Sequence, residues 1–64
     1  MTRKEIRMQM ALGTIILTQL SQEEFSYWVH LKYKVNNRVM SKTVSNNLPL
    51  LRDAFVQLEQ SELL

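Results

Sequence analysis

The sequence predicts a single all-α domain of three to four helices, and three observations support that fold class. The 64-residue chain has one glycine and one proline, which disfavours a turn-rich β fold. Two stretches, TRKE and SQEE, have the form of the capping box that begins many α-helices. Apolar residues recur three and four positions apart, the spacing of one helix face. We expect residues 1–64 to form one helical domain.

The chain is too short for a large core, and its composition removes the usual substitutes. A domain of about 60 residues buries only about 60% of the surface that its unfolded chain exposes. The absence of cysteine excludes disulfides and thiolate metal sites, and a single histidine, His30, cannot build a metal site by itself. We therefore expect no metal and no cofactor, and we expect helix packing or association between copies to supply stability.

The composition also bears on location. A chain without cysteine fits a cytoplasmic protein. The longest apolar stretch, residues 8–17, is interrupted by Gln9, Gly13 and Thr14, and it falls short of the roughly 18 apolar residues of a membrane span. We expect no membrane partner.

The first helix is predicted from Arg3 to Gln19. Thr2 and Glu5 form its capping box, in which a hydroxyl and a carboxylate bond backbone N–H groups that lack a partner within the helix. Apolar side chains cover well over half of its circumference: Ile6, Met8, Met10, Leu12, Ile15, Ile16, Leu17 and Leu20. An apolar sector this wide requires cover on two sides.

Three interpretations of that sector remain open. The helix can join two copies of the chain through Met8, Leu12 and Ile15, or it can be a central helix wrapped by the others. A β-strand over residues 11–18 is the third, because Ile15 and Ile16 are β-branched. Under the first interpretation the chain is a dimer.

The second helix is predicted from the Ser21 and Glu24 capping box to about Lys34. Four large side chains share one face and are expected in the core: Phe25, Trp28, Val29 and Tyr33. Tyr27 and Leu31 lie off that face, so they are candidates to anchor a protein partner.

A turn is predicted at residues 35–37, because asparagine tolerates the left-handed conformation that ends helices. The third helix begins at Ser41 or Arg38 and ends near Asn47. Pro49 ends it, since proline lacks an amide hydrogen and disfavours a helical residue before it.

The last helix is predicted from Leu48 to about Glu62. Asn47 is its expected cap and Pro49 lies in its first turn, where proline is tolerated. Leu51, Phe55 and Leu58 form its packing face.

Charge is distributed unevenly along the chain, although the formal net charge is only +2. The stretch from Phe25 to Arg52 contains no acid. Its cations are Lys32, Lys34, Arg38, Lys42 and Arg52. Serine, threonine and asparagine lie between them, and these residue types contact phosphates and base edges. A nucleic-acid surface and an ordinary solvated face fit this pattern equally well.

Catalysis is not expected. Three or four short helices can hardly enclose an active site, and His30 has no partner at a catalytic spacing. Glu23 and Glu24 are adjacent, so they do not share a helix face.

Three stretches resemble the winged-helix regulators of the MarR type. LSQEEFSYWVHL resembles the opening helix, SKTVSNNL the start of the recognition helix and LEQSELL its close. The resemblance implies that five residues face the DNA groove: Lys42, Thr43, Ser45, Asn46 and Asn47. It also implies that Arg38 and Arg52 lie near the DNA backbone. The chain departs from the pattern because the short intervening helix is reduced to VNNRVM, Pro49 interrupts the recognition helix, and the sequence ends where the wing would begin.

Two functions follow as hypotheses. The first is a small, dimeric DNA-binding transcription regulator of helix-turn-helix type, with double-stranded DNA as its partner and the segment from Arg38 to Asn47 in the major groove. The second is a protein-binding modulator, such as a phage-type antirepressor, that docks on a regulator and inhibits it. The wide apolar sector of the first helix and the missing wing favour the second.

Overall fold

The computed structural model describes residues 1–62 and confirms the all-α prediction. Within that range it contains four α-helices and one short 3-10 helix, in the order α1 (Arg3–Leu12), the 3-10 helix (Leu17–Gln19), α2 (Gln22–Lys32), α3 (Arg38–Asn46) and α4 (Leu48–Glu62). No strand occurs among these residues, so the alternative of a strand over 11–18 is wrong.

The first helix ends at Leu12, seven residues before the predicted end at Gln19. Gly13 takes the left-handed conformation with φ 70°. Its N–H bonds the Met10 carbonyl at 3.2 Å, and the next N–H, that of Thr14, bonds the Gln9 carbonyl at 3.0 Å. These two bonds form a Schellman motif, which ends a helix and for which glycine is the favoured residue. The regular apolar spacing continues past this stop, but the helix does not.

The core lies where α1, the 3-10 helix, α2 and α4 meet. Its buried members among the described residues are Ile6, Leu17, Leu20, Phe25, Trp28 and Val29. Leu17 and Leu20 reach it from the 3-10 helix and the residue after it, rather than from a long first helix. The interpretation of α1 as a central wrapped helix therefore does not hold, since Ile6 is its one buried residue.

Three aromatic rings join α2 to α4. The centroids of Phe25 and Trp28 are 5.6 Å apart, and Phe55 of α4 lies 6.1 Å from Phe25 and 5.4 Å from Trp28. Such spacings and the edge-to-face contact of Trp28 with Phe55 are favourable for aromatic rings. Tyr33, predicted in the core, is instead 49% exposed, and its ring centroid lies 5.7 Å from that of Phe55.

Both predicted capping boxes are formed. At the start of α1, the Glu5 amide donates to the Thr2 hydroxyl at 3.1 Å, and the Glu5 carboxylate accepts from the Thr2 amide at 3.3 Å. At the start of α2, the corresponding distances between Ser21 and Glu24 are 3.2 and 2.7 Å. The Glu24 carboxylate also pairs with the Met1 amino group at 2.9 Å, which links the starts of both helices.

The turn between α2 and α3 uses different residues from those predicted. Lys34, not an asparagine, takes the left-handed conformation, with φ 51°, and the Val35 N–H bonds the His30 carbonyl at 3.1 Å. Asn37 instead caps α3 by accepting a bond from the Met40 amide at 2.8 Å. The short asparagine side chain suits a helix cap because it reaches the unbonded amides of the first turn.

The longer of the two predicted third helices is confirmed, since α3 starts at Arg38. It ends at Asn46, and α4 begins at Leu48 with Pro49 in its first turn, as the sequence predicted. The Asn47 carbonyl accepts the first bond of α4, from Leu51 at 2.9 Å.

Replacing Phe25, the central ring of the core, tests how much this side chain contributes to the free energy of unfolding. Phe25 has no exposed surface, and Phe to Ala changes in cores cost about 3–5 kcal/mol. A core of this size supplies about 3–5 kcal/mol in total, so Phe25→Ala should leave most of the chain unfolded at 25 °C. Urea unfolding followed by circular dichroism measures the loss. Leu50→Ala, at an exposed position of α4, is the control and should change the free energy of unfolding by no more than about 0.5 kcal/mol.

Glu24 should make stability depend on pH in the acid range. Its bond from the Ser21 amide, and then the Met1 ammonium, lower the pKa of the Glu24 carboxyl to about 2. Because the folded pKa lies below the unfolded one, the stabilisation is complete above about pH 4.5 and is lost as pH falls towards 2. The urea midpoint of the unchanged chain should therefore fall over this range, with a smaller fall for Glu24→Gln. Glu23→Gln removes a charge outside the capping box and should retain the full pH dependence.

Candidate nucleic-acid interface

Helix α3 presents most of its side chains to solvent. Within Arg38–Asn46 no residue is buried, and only Ser41 and Val44 are partly covered. Since successive residues are rotated by about 100°, the other side chains fall on one continuous outer face. That face, called the α3 outer face below, consists of Arg38, Val39, Met40, Lys42, Thr43, Ser45 and Asn46. It unites five of the seven residues predicted to contact DNA.

Two polar groups near this face are bonded to the backbone of α3. The Thr43 hydroxyl donates to the Val39 carbonyl at 2.9 Å. The Asn47 side-chain amide donates to the Thr43 carbonyl at 2.7 Å, so it satisfies a carbonyl near the end of the helix. Thr43 and Asn47 therefore each have a structural role in α3, in addition to the predicted contact with DNA.

Arg52, the seventh predicted DNA contact, lies on α4 and is half-buried. Its guanidinium donates a hydrogen bond to the carbonyl of Leu20, at the start of the segment that leads into α2. The bond joins residues that are far apart in the sequence, and nothing in the local pattern around Arg52 indicated it. Arg52 therefore helps to hold α4 against the beginning of α2.

His30 positions α3 against α2. Its Nδ1 lies 2.7 Å from the Ser26 carbonyl within α2, and its Nε2 lies 3.0 Å from the Ser41 hydroxyl of α3. The carbonyl can only accept, so Nδ1 carries a proton, and in the neutral ring Nε2 accepts from the hydroxyl. Sequence reasoning missed this contact because the two side chains belong to different helices.

The residues predicted to contact a protein or a second copy do not share one environment. Met8 and Leu12 are 52% and 68% exposed on α1, one helical turn apart. Ile15 is partly buried against the core. Tyr27 is also partly buried; its hydroxyl accepts from Arg7 at 3.1 Å, and the Arg3 guanidinium lies 4.9 Å from its ring centre. Leu31 is partly buried as well.

A groove that the sequence did not predict runs between α2 and α4. Its volume is about 420 Å³. Three parts of the chain line it: Gly13, Ile15 and Leu17; Trp28, Lys32 and Tyr33; and Phe55, Leu58 and Glu59. No local pattern can indicate such a groove, because it exists only once these parts pack together.

The described residues contain no group of three or more histidine, cysteine, aspartate or glutamate side chains placed to hold a metal ion. None of the helices in the described range is long and apolar enough to cross a membrane. Comparison of the chain with known protein families, with characterised proteins and with solved structures gives no match. The function must therefore be inferred from the surfaces themselves.

The bond from Arg52 to Leu20 should contribute measurably to stability. A hydrogen bond made by a charged group contributes about 1.5–3 kcal/mol, so Arg52→Ala should lower the free energy of unfolding by about that amount. Arg38→Ala removes the same kind of side chain from an exposed position and should change it by no more than about 0.5 kcal/mol. Urea unfolding of both variants gives the comparison, and equal effects would contradict this role of Arg52.

Proposed function

We propose that the chain is a small DNA-binding transcription regulator of helix-turn-helix type that places the α3 outer face in the major groove. The observation that supports this most is the composition of that face. Two cations, Arg38 and Lys42, lie beside the hydrogen-bonding side chains of Ser45 and Asn46. Cations bind phosphates, and arginine and asparagine also bond base edges in the major groove.

The apolar members of the face fit the same role. Val39 is 77% exposed on this face. Methyl groups of this kind contact the thymine methyl group in the major groove. The exposed Val39 on a basic and polar helix therefore fits the proposed contact in the major groove.

The arrangement of the helices supports the proposal as well. Helix α3 follows α2 after a five-residue connection, and α2 and α4 both pack against its inner side. A helix-turn-helix unit likewise presents its second helix to the groove and supports it from behind. The resemblance to MarR-type regulators points the same way, although its last two residues, Leu63 and Leu64, lie outside the described range.

Within this proposal the predicted contacts have separate roles. Arg38 and Lys42 bind phosphate or guanine, and Ser45 and Asn46 bond base edges. Thr43 contributes mainly its methyl group, because its hydroxyl proton is used within the helix. Asn47 and Arg52 act by holding the end of α3 and the start of α2 in position.

The second candidate function, a modulator that docks on a regulator protein, is favoured by the exposed Met8 and Leu12. The same two side chains also fit a second copy of this chain, and the groove between α2 and α4 favours that occupant. DNA binding and a regulator partner are separated by a direct assay with purified chain and duplex DNA.

Removing one α3 cation should weaken DNA binding and reduce its dependence on salt. Fluorescence anisotropy with a labelled duplex, repeated at several salt concentrations, gives the slope of log K against log salt. If Lys42 neutralises one phosphate, Lys42→Ala lowers the magnitude of that slope by about 0.9. Arg7→Gln, which removes one positive charge from α1 outside both proposed surfaces, should leave the slope unchanged. Absence of binding to any duplex at low salt would disprove the proposal.

A further inference from the structure

The groove between α2 and α4 combines apolar side chains with charged groups in its lining. Buried Trp28 and Leu17 form part of its lining, and Leu58 beside them is 58% exposed. Lys32 stands at the α2 edge, with its amine 5.0 Å from the Trp28 ring centre, and Glu59 stands at the α4 edge. The groove thus offers both apolar and polar contacts, with a positive charge on one side and a negative charge on the other.

Helix α1 carries a complementary ridge. Met8 and Leu12 project from the side away from Ile6, and both are more than half exposed. At about 100° per residue, Lys4 falls on one side of this ridge and Glu5 on the other. The ridge is therefore apolar along its length and flanked by charges of opposite sign.

We propose that a second copy of this chain fills the groove, each copy inserting its α1 ridge into the groove of the other. The charges select this occupant. With the ridge in the groove, Lys4 can face Glu59 while Glu5 faces Lys32, so both edges carry opposite charges. Two copies repel each other little, because the formal charge of each is only +2.

The position of the ridge beside the groove allows the contact to close. Leu12 ends α1, and the next residue, Gly13, already lines the groove. A two-fold axis near Gly13 can therefore bring both ridges into both grooves at once, which gives a closed dimer rather than an open chain of copies. The dimer also supplies the apolar burial that a chain of this length lacks.

Sedimentation equilibrium of the purified chain across the micromolar to millimolar range tests the dimer. Leu12→Asp alters the ridge and Leu58→Lys alters the groove. Each should raise the dimer dissociation constant at least about tenfold, because a charge is placed in an apolar contact. Leu50→Lys makes the same change at another exposed leucine of α4, outside the groove, and should leave the constant unchanged. Circular dichroism checks that each variant keeps its helix content.

A mixing experiment tests the reciprocal arrangement. A dimer of the Leu12→Asp and Leu58→Lys variants retains one unchanged ridge in one unchanged groove, and its other contact joins opposite charges. The mixture should therefore dimerise more tightly than either variant alone. If the two ridges instead pack against each other, mixing restores no unchanged contact.

Three results would overturn the proposal. The first is a chain that stays monomeric throughout the concentration range, which would leave the groove to a different protein. The second is a dimer insensitive to Leu58→Lys, and the third is a mixture that dimerises no more tightly than its components. None of these measurements involves DNA, so loss of DNA binding and loss of the dimer can be distinguished.

Discussion

The contact of Phe25 and Trp28 with Phe55 is the interaction on which the rest of the structure depends. It fixes α2 against α4, and the other buried side chains, Ile6 and Leu17 among them, pack around these rings. A chain this short cannot bury a second core, so each remaining element is placed by its relation to this cluster. The groove lies against two of these rings, Trp28 and Phe55.

Polar contacts between distant residues complete what the small core begins. The Glu59 carboxylate accepts a bond from the Leu17 amide at 2.9 Å, and Arg52 donates to the Leu20 carbonyl. Both contacts hold the irregular segment between α1 and α2 against α4. His30 holds α3 in the same manner, so these three side chains stabilise the fold before any functional role is considered.

The two proposed surfaces lie on different helices because α1 and α3 contribute different amounts of buried surface to the core. Helix α3 contributes no buried residue, so its outer face, with Arg38 and Lys42, is exposed for the proposed contact with DNA. Helix α1 buries only the side that carries Ile6, so the ridge of Met8 and Leu12 is exposed for the proposed contact with a second copy. A dimer of this kind would present two α3 helices, as two-fold DNA-binding proteins do.

The sequence by itself determined the helical class, both capping boxes, the break at Pro49 and the exposed basic character of α3, because each depends on residues within a few positions of one another. The end of α1 was predicted too late because the apolar spacing continued beyond Gly13, although glycine is the residue type that such a helix end favours. The groove, the exposure of Tyr33 and the role of Arg52 were decided by the tertiary structure alone. Each depends on how residues from different helices pack together, and the apolar periodicity of one helix does not indicate which other helices it will contact.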